Sequence, residues 1–179
     1  MNLFLKQIAL ILVYTILFNY SNISLSKDKI DTSFKNIIIH QKSKDFPTLY
    51  LKNVKGEDII ISKYTKKVTL INFWATWCAP CIEELPSLNR LKSKYENNVD
   101  IIAINVEKIN YKKAESFLKS LNVENFKTYF DKDFRIAKLL KLRGIPITII
   151  VGQDGREVGR VIGSIEFDQD KFINLLKKI

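Results

Sequence analysis

The stretch Val68-Thr69-Leu70-Ile71-Asn72-Phe73-Trp74-Ala75-Thr76-Trp77-Cys78-Ala79-Pro80-Cys81-Ile82-Glu83-Glu84-Leu85-Pro86 decides the fold. It opens as a nearly continuous apolar run, which predicts a short strand buried on both faces. Ile82, Leu85, Leu88 and Leu91 follow at steps of three, which keeps them close to one face of a helix. A strand that ends where a helix begins places Cys78 at the helix N-terminus. Unpaired N–H groups and the positive end of the helix dipole favour a thiolate there. Two cysteines one helical turn apart also meet the separation that a disulfide requires. The residues therefore predict a redox thiol pair, with Cys78 the exposed nucleophile and Cys81 the more buried partner. Ala79 and Pro80 between them bias the helix start, remove one donor near the sulfurs and so tune the redox potential.

Outward from this core, Phe46–Leu51 and Asp58–Ile61 read as a β-hairpin across the turn at Asn53–Glu57. Residues 27–45 are polar apart from Phe34 and Ile37–Ile39 and read as a linker leading into a short edge strand. Pro86 interrupts the helical stripe without ending it, so a kinked helix that continues past it is expected. A second buried strand is predicted over Val99–Val106, a helix over Lys112–Leu121, a strand over Phe126–Phe130 and a short helix over Phe134–Leu142. Pro146 begins an otherwise regular strand to Val151, where a proline needs an explanation. The turn at Gln153–Arg156, a returning strand Glu157–Ile162 and a closing helix through Phe172, Leu175, Leu176 and Ile179 complete the chain. Strand–helix alternation followed by a hairpin and a helix predicts an α/β sandwich with a mixed sheet flanked by helices.

The 179 residues suffice for one domain with a sizeable core. The net charge is +10, but the lysines are scattered in short pairs with no Arg-rich stripe. A nucleic-acid footprint is clustered, so no nucleic-acid partner is expected. With two cysteines, one histidine and one methionine, no scaffold disulfide and no structural zinc site are expected. The redox-active pair itself serves in place of a cofactor. At the N-terminus a short basic region with Lys6 precedes an uncharged run from Ile8 to Phe18, then a polar stretch to Ser26. Residues 1–26 thus read as a signal peptide with a cleavage site near Ser24–Ser26, or as an uncleaved membrane anchor extended by Leu3–Leu5. In an oxidising compartment such a pair cycles only when a dedicated partner reduces or oxidises it.

The run Asn72 to Cys81, followed by Glu84-Leu85-Pro86 and a later Ile145-Pro146, resembles the active-site segment of the thioredoxin superfamily. More narrowly it is similar to the TlpA/ResA-like thiol–disulfide oxidoreductases of the bacterial cell envelope, over roughly residues 46–179. The resemblance implies a thioredoxin-like sandwich with an added N-terminal β-hairpin. It implies a Glu84 that affects thiol acidity and relays a proton for Cys81, whereas neighbouring Glu83 is expected to be a solvated acid. It implies a cis Pro146 facing the Cys pair and an Ile145 that offers backbone hydrogen bonds to an extended substrate. Trp77 is expected on the contact surface, and Trp74 reads equally as core. Asn72 departs from the buried Asp of thioredoxin itself. The implied activity is reduction of protein disulfides, such as those of apocytochrome c or of copper-site cysteines in oxidase subunits. It would take place in the periplasm or on the outer face of the inner membrane, with a membrane thiol reductant upstream. Two other readings of the pair stay open: a Cu(I)-delivery module, since soft thiolates suit that ion, and a thiol peroxidase. Against them stand the lack of a nearby His or Met pair and of a Thr and Arg pattern around Cys78.

Overall fold

The computed structural model describes residues 35–62, 64, 66–108 and 111–179. The expected export segment, residues 1–26, lies outside them. The elements are β1 (Ile37–Asp45), β2 (Leu49–Lys52), β3 (Asp58–Ile61), β4 (Val68–Trp74), α1 (Ala79–Lys94), β5 (Val99–Asn105) and α2 (Tyr111–Ser120). They continue with β6 (Lys127–Phe130), a 3-10 turn at Lys132–Phe134, α3 (Arg135–Leu139), β7 (Ile147–Val151), β8 (Arg156–Ile162) and α4 (Asp170–Leu176). The strands form one mixed sheet in the order β1-β8-β7-β4-β5-β6-β2-β3.

All seven residues of β4 are buried. The strand lies between β5, parallel to it from Val68↔Val99 to Trp74↔Asn105, and β7, antiparallel to it from Thr69↔Val151 to Phe73↔Ile147. A strand paired on both edges and covered on both faces needs apolar side chains in both directions, which explains the unbroken run. The parallel step from β4 to β5 requires a crossover, and α1 supplies it. Its buried stripe is Cys81, Glu84, Leu85, Ser87, Leu88 and Leu91. The helix runs unbroken through Pro86 to Lys94. Among the described residues no helix is long and apolar enough to cross a membrane.

Four elements differ from the sequence reading. The edge strand β1 is not short: it takes nine residues of the segment read as linker and edge, because backbone pairing with β8 carries it to Asp45. Its polar half is held by side chains: Arg156 donates to Ser43 Oγ at 2.9 Å and pairs with Asp45. The hairpin strand β2 starts at Leu49, just beyond Pro47, which has no N–H to give a ladder. The short helix α3 is only five residues long, because Asp133 and Phe134 before it and Lys141 after it take positive φ. In the same way β7 begins one residue after Pro146, which precedes the strand rather than starting it.

Candidate active site

Cys78 stands four residues past the end of β4 and is the N-cap residue of α1, with φ −90° and ψ 97°. Its carbonyl accepts the Cys81 and Ile82 amides at 3.0 and 3.1 Å, which starts the helix, and Pro80 occupies the first turn. Cys78 and Cys81 are joined in a disulfide with their Cα atoms 5.3 Å apart. The sequence reading expects an exposed Cys78. In the structure Cys81 is fully buried and Cys78 keeps only 5 % of its surface, since the bonded pair sits in the junction between β4 and α1. Access to the sulfurs is confined to that rim. Around it Trp77 is 69 % exposed, and Ala79 and Pro80 are exposed as well. Trp74 is core: it is fully buried, its Nε1 donates to Thr128 Oγ1 at 3.2 Å, and it stacks on Phe117.

The loop before the pair is pinned by a residue that the sequence reading does not single out. Glu107 accepts from the Thr76 amide at 2.8 Å, from Thr76 Oγ1 at 2.9 Å and from Asn105 Nδ2 at 2.9 Å. Two charged or polar residues closing a buried strand, Asn105 and Glu107, are the signal that could have found it.

The Ile145–Pro146 peptide bond is cis, and Pro146 is buried. Because Ile147 pairs with Phe73, the register brings Pro146 to the end of the sheet from which Cys78 emerges. The Pro146 carbonyl accepts the Gly163 amide at 2.9 Å, whereas the backbone of Ile145 has no hydrogen-bond partner among the described residues. Trp77 and Ile145 line one trough of about 460 Å³, with Val106, Phe134, Ala137 and Leu142.

Beneath the pair, one turn along α1 from Cys81, Glu84 is 1 % exposed, whereas Glu83 is exposed. Fully buried Asn72 donates from Nδ2 to Glu84 Oε1 at 2.7 Å and to Thr148 Oγ1 at 2.9 Å. Burial pushes the Glu84 carboxyl up to about 8, against the opposing pull of the Asn72 amide and the Ile165 backbone. Its partners are neutral, so no opposite charge offsets the cost of ionising it in a low dielectric. Glu84 Oε2 and Asn72 Oδ1 have no partner among the described residues. The loop after β8 closes over this side of α1: Ser87 Oγ donates to the Glu84 carbonyl at 2.7 Å and accepts the Phe167 amide at 3.0 Å. Arg90 fixes the same loop through Asp168 and Glu166. Thr148, a lone hydroxyl in the apolar run of β7, is a member of the cluster that the sequence reading misses. The polar exception in an apolar strand is its signal.

A sheet of this order, a Cys-x-x-Cys disulfide at a helix tip and a cis proline just before the adjoining strand together define a thioredoxin-like thiol–disulfide oxidoreductase. The chain belongs to the AhpC/TSA family, whose model matches residues 43–157. It is 31% identical over 135 residues to the thiol-disulfide oxidoreductase ResA of Bacillus subtilis (strain 168), covering 74% of each chain. It is 29% identical over 140 residues to ResA of Bacillus anthracis, covering 78% of this chain and 79% of the relative. Among solved structures, StoA from Bacillus subtilis matches with a TM-score of 0.57 and 26% identity over 70% of this chain and 94% of its own. A DsbF homologue from Corynebacterium diphtheriae matches with a TM-score of 0.70 and 20% identity over 83% and 96%.

Proposed function

We propose that the protein is an exported reductant of protein disulfides, with residues 1–26 as signal peptide or anchor, residues 27–45 as linker and edge segment and residues 46–179 as the catalytic domain. The observation that carries the reading is a pair of sulfurs of unequal access, Cys78 at the rim and Cys81 fully buried, above a carboxyl held near pH 8. In the reduced form the Cys78 thiolate attacks a substrate disulfide, forming a mixed disulfide and releasing one substrate thiolate, which takes up a proton. Cys81 then gives up its proton and attacks Cys78 Sγ. The second substrate thiol leaves, and two electrons have passed from the Cys pair to the substrate. Glu84 is placed to take the Cys81 proton in this step. It returns that proton when an upstream dithiol reopens the Cys78–Cys81 bond and Cys81 departs as a thiolate. At neutral pH it is mostly protonated, ready for that second role, and the first role falls to its ionised fraction.

The unpaired backbone of Ile145 beside cis Pro146 suits an extended substrate added in strand fashion, and Trp77 supports its side chains. Ala79 and Pro80 set the helix start and with it the potential. The substrate class is disulfides of the apocytochrome c or oxidase copper-site type, in the periplasm or on the outer face of the inner membrane, with a membrane thiol reductant upstream. Reduction of insulin and of a Cys-x-x-Cys-His peptide tests the reading. The dithiol protein should turn both over, and a Cys78→Ser variant should not exceed the uncatalysed rate. Equilibration of the pair with glutathione tests the direction: a potential near that of strongly reducing dithiols, roughly −270 mV, supports a donor. An oxidising value would reverse the assigned direction. Tight one-to-one Cu(I) binding by a protein that reduces no disulfide would replace the reading altogether.

A further inference from the structure

Phe134, Ala137, Leu142 and Arg143 line the trough beside Trp77, and both the backbone and the charge of the segment they belong to, residues 133–143, set this wall apart. Four described non-glycine residues have positive φ: Asn122, Asp133, Phe134 and Lys141. Three of them bracket α3. L-residues hold this conformation only where the surroundings impose it. Buried Asp131 does so here, accepting the Ile136 amide at 2.9 Å and the Ala137 amide at 2.8 Å and satisfying donors that the helix start leaves unpaired. The outcome is an aromatic turned outward: Phe134 is 39 % exposed and lines the trough with Trp77.

The charges are as selective. Of the chain's five arginines, Arg90, Arg156 and Arg160 each hold a carboxylate. Arg135 and Arg143 make no salt bridge among the described residues and both belong to this segment, Arg135 within the electrostatic reach of Asp131. Lys138 and Lys141 between them are also exposed and outside any salt bridge, and Arg143 lines the trough itself. The acids nearby are committed, Asp131 to the α3 amides and Glu107 to Thr76 and Asn105, which leaves one exposed acid, Asp133, against four cations.

We propose that this wall is the specificity arm of the site, taking a bulky apolar side chain of an extended target into the trough and reading acidic side chains beside it. The favoured substrates are therefore disulfides in acidic, hydrophobic segments. The inference rests on the reading that the pair exchanges disulfides with proteins. A polypeptide is the occupant because the trough is lined both by Trp77, the residue before Cys78, and by Ile145, whose backbone has no hydrogen-bond partner among the described residues. Opposite charges would speed encounter and exclude basic segments, an effect that salt weakens.

The test uses paired disulfide peptides of one length, each with a Phe beside the cysteine and flanked either by Glu or by Lys. The reduced protein should favour the Glu-flanked peptide by about tenfold in kcat/KM, and raising the salt should shrink that ratio. Arg143→Glu, alone and combined with Lys138→Glu, should bring the ratio to one or below, and replacing the peptide's Phe by Ser should lower kcat/KM. Equal rates on both peptides, or variants that slow both equally, overturn the inference. So does retention on anionic phosphatidylglycerol vesicles without peptide discrimination, which would make the wall a membrane surface. Turnover of bis(2-hydroxyethyl) disulfide by the parent protein separates the two levels: turnover without discrimination defeats only the specificity arm, and no turnover defeats disulfide exchange itself.

Discussion

Three carboxylates are almost wholly buried among the described residues, Glu84, Asp131 and Glu157, and the first and last of them titrate in opposite directions. Glu84, on α1 below the Cys pair, is 1 % exposed; Glu157, on β8 beside the edge strand β1, is 3 % exposed. Burial raises both. Glu84 faces neutral groups, and its carboxyl stays up at about 8. Glu157 faces Arg160, which donates to it twice, at 2.6 and 3.0 Å, and His40 at 2.7 Å. There the opposing charges outweigh burial, and the carboxyl falls below its ordinary range. Burial alone therefore assigns no role. The charge across from the carboxylate makes one group a proton store and the other a fixed counter-ion that ties β1 to β8. Their effects on stability are opposite too. Glu157 contributes stability at pH values above its unfolded pKa, and loses it as acid protonates the folded carboxylate. Glu84 destabilises increasingly between 4.5, where the unfolded chain ionises, and about 8, where the folded protein does.

The largest effect comes from stranding Glu157. Arg160→Met leaves a buried charge with only His40, and breaking such a pair costs about 3–5 kcal/mol. Urea unfolding at pH 7 should show a loss of that size; under 1 kcal/mol would mean that the carboxylate is solvated after all. Next is removal of the other charge. Glu84→Gln relieves the alkaline penalty, so the oxidised variant should match the parent near pH 4. It should exceed the parent by roughly 4 kcal/mol at pH 8, somewhat under the full value of a shift from 4.5 to about 8. A gap of constant size across that range would show that Glu84 does not titrate as assigned. His40→Leu is milder, about 1–2 kcal/mol in the same urea assay, because Arg160 still neutralises Glu157. A loss equal to that of Arg160→Met would make the histidine, not the arginine, the group that matters.

The two regions also differ in how much of them the sequence displays. Around Glu84 the information is local. The apolar run gives β4, and the three-residue stripe gives α1. The spacing from Cys81 to Glu84 puts both on a single face, where the structure buries them together. Around Glu157 it is not local. His40 lies 117 residues away, in a strand whose polar half shows no alternation, because its pairing depends on backbone groups and on Arg156 and Glu157 reaching across. The wall of the trough is hidden for a related reason. Apolar spacing over Phe134–Leu142 suggests a helix, but the left-handed turn at Asp133 and Phe134 is imposed by the Asp131 carboxylate. Thr148 is hidden because β-strand periodicity does not tell which cross-strand partner a single hydroxyl will meet.

The smallest effect sharpens the comparison most. Asn72 is the side chain that holds Glu84 down, with one N–H on the carboxyl and the other on Thr148, and its own carbonyl has no partner among the described residues. Asn72→Ala removes that donor without adding charge, so the Glu84 midpoint should climb further above 8 while the fold loses about 1 kcal/mol. A carboxyl carbon titration by NMR reads the midpoint directly. Asn72→Asp instead adds a second buried acid within hydrogen-bonding distance, and the two then titrate as a coupled pair with one proton held and one released earlier. Should Asn72→Ala leave the midpoint at about 8, neutral hydrogen bonds do not set the Glu84 proton. The contrast with Glu157 would then reduce to the presence or absence of Arg160 alone.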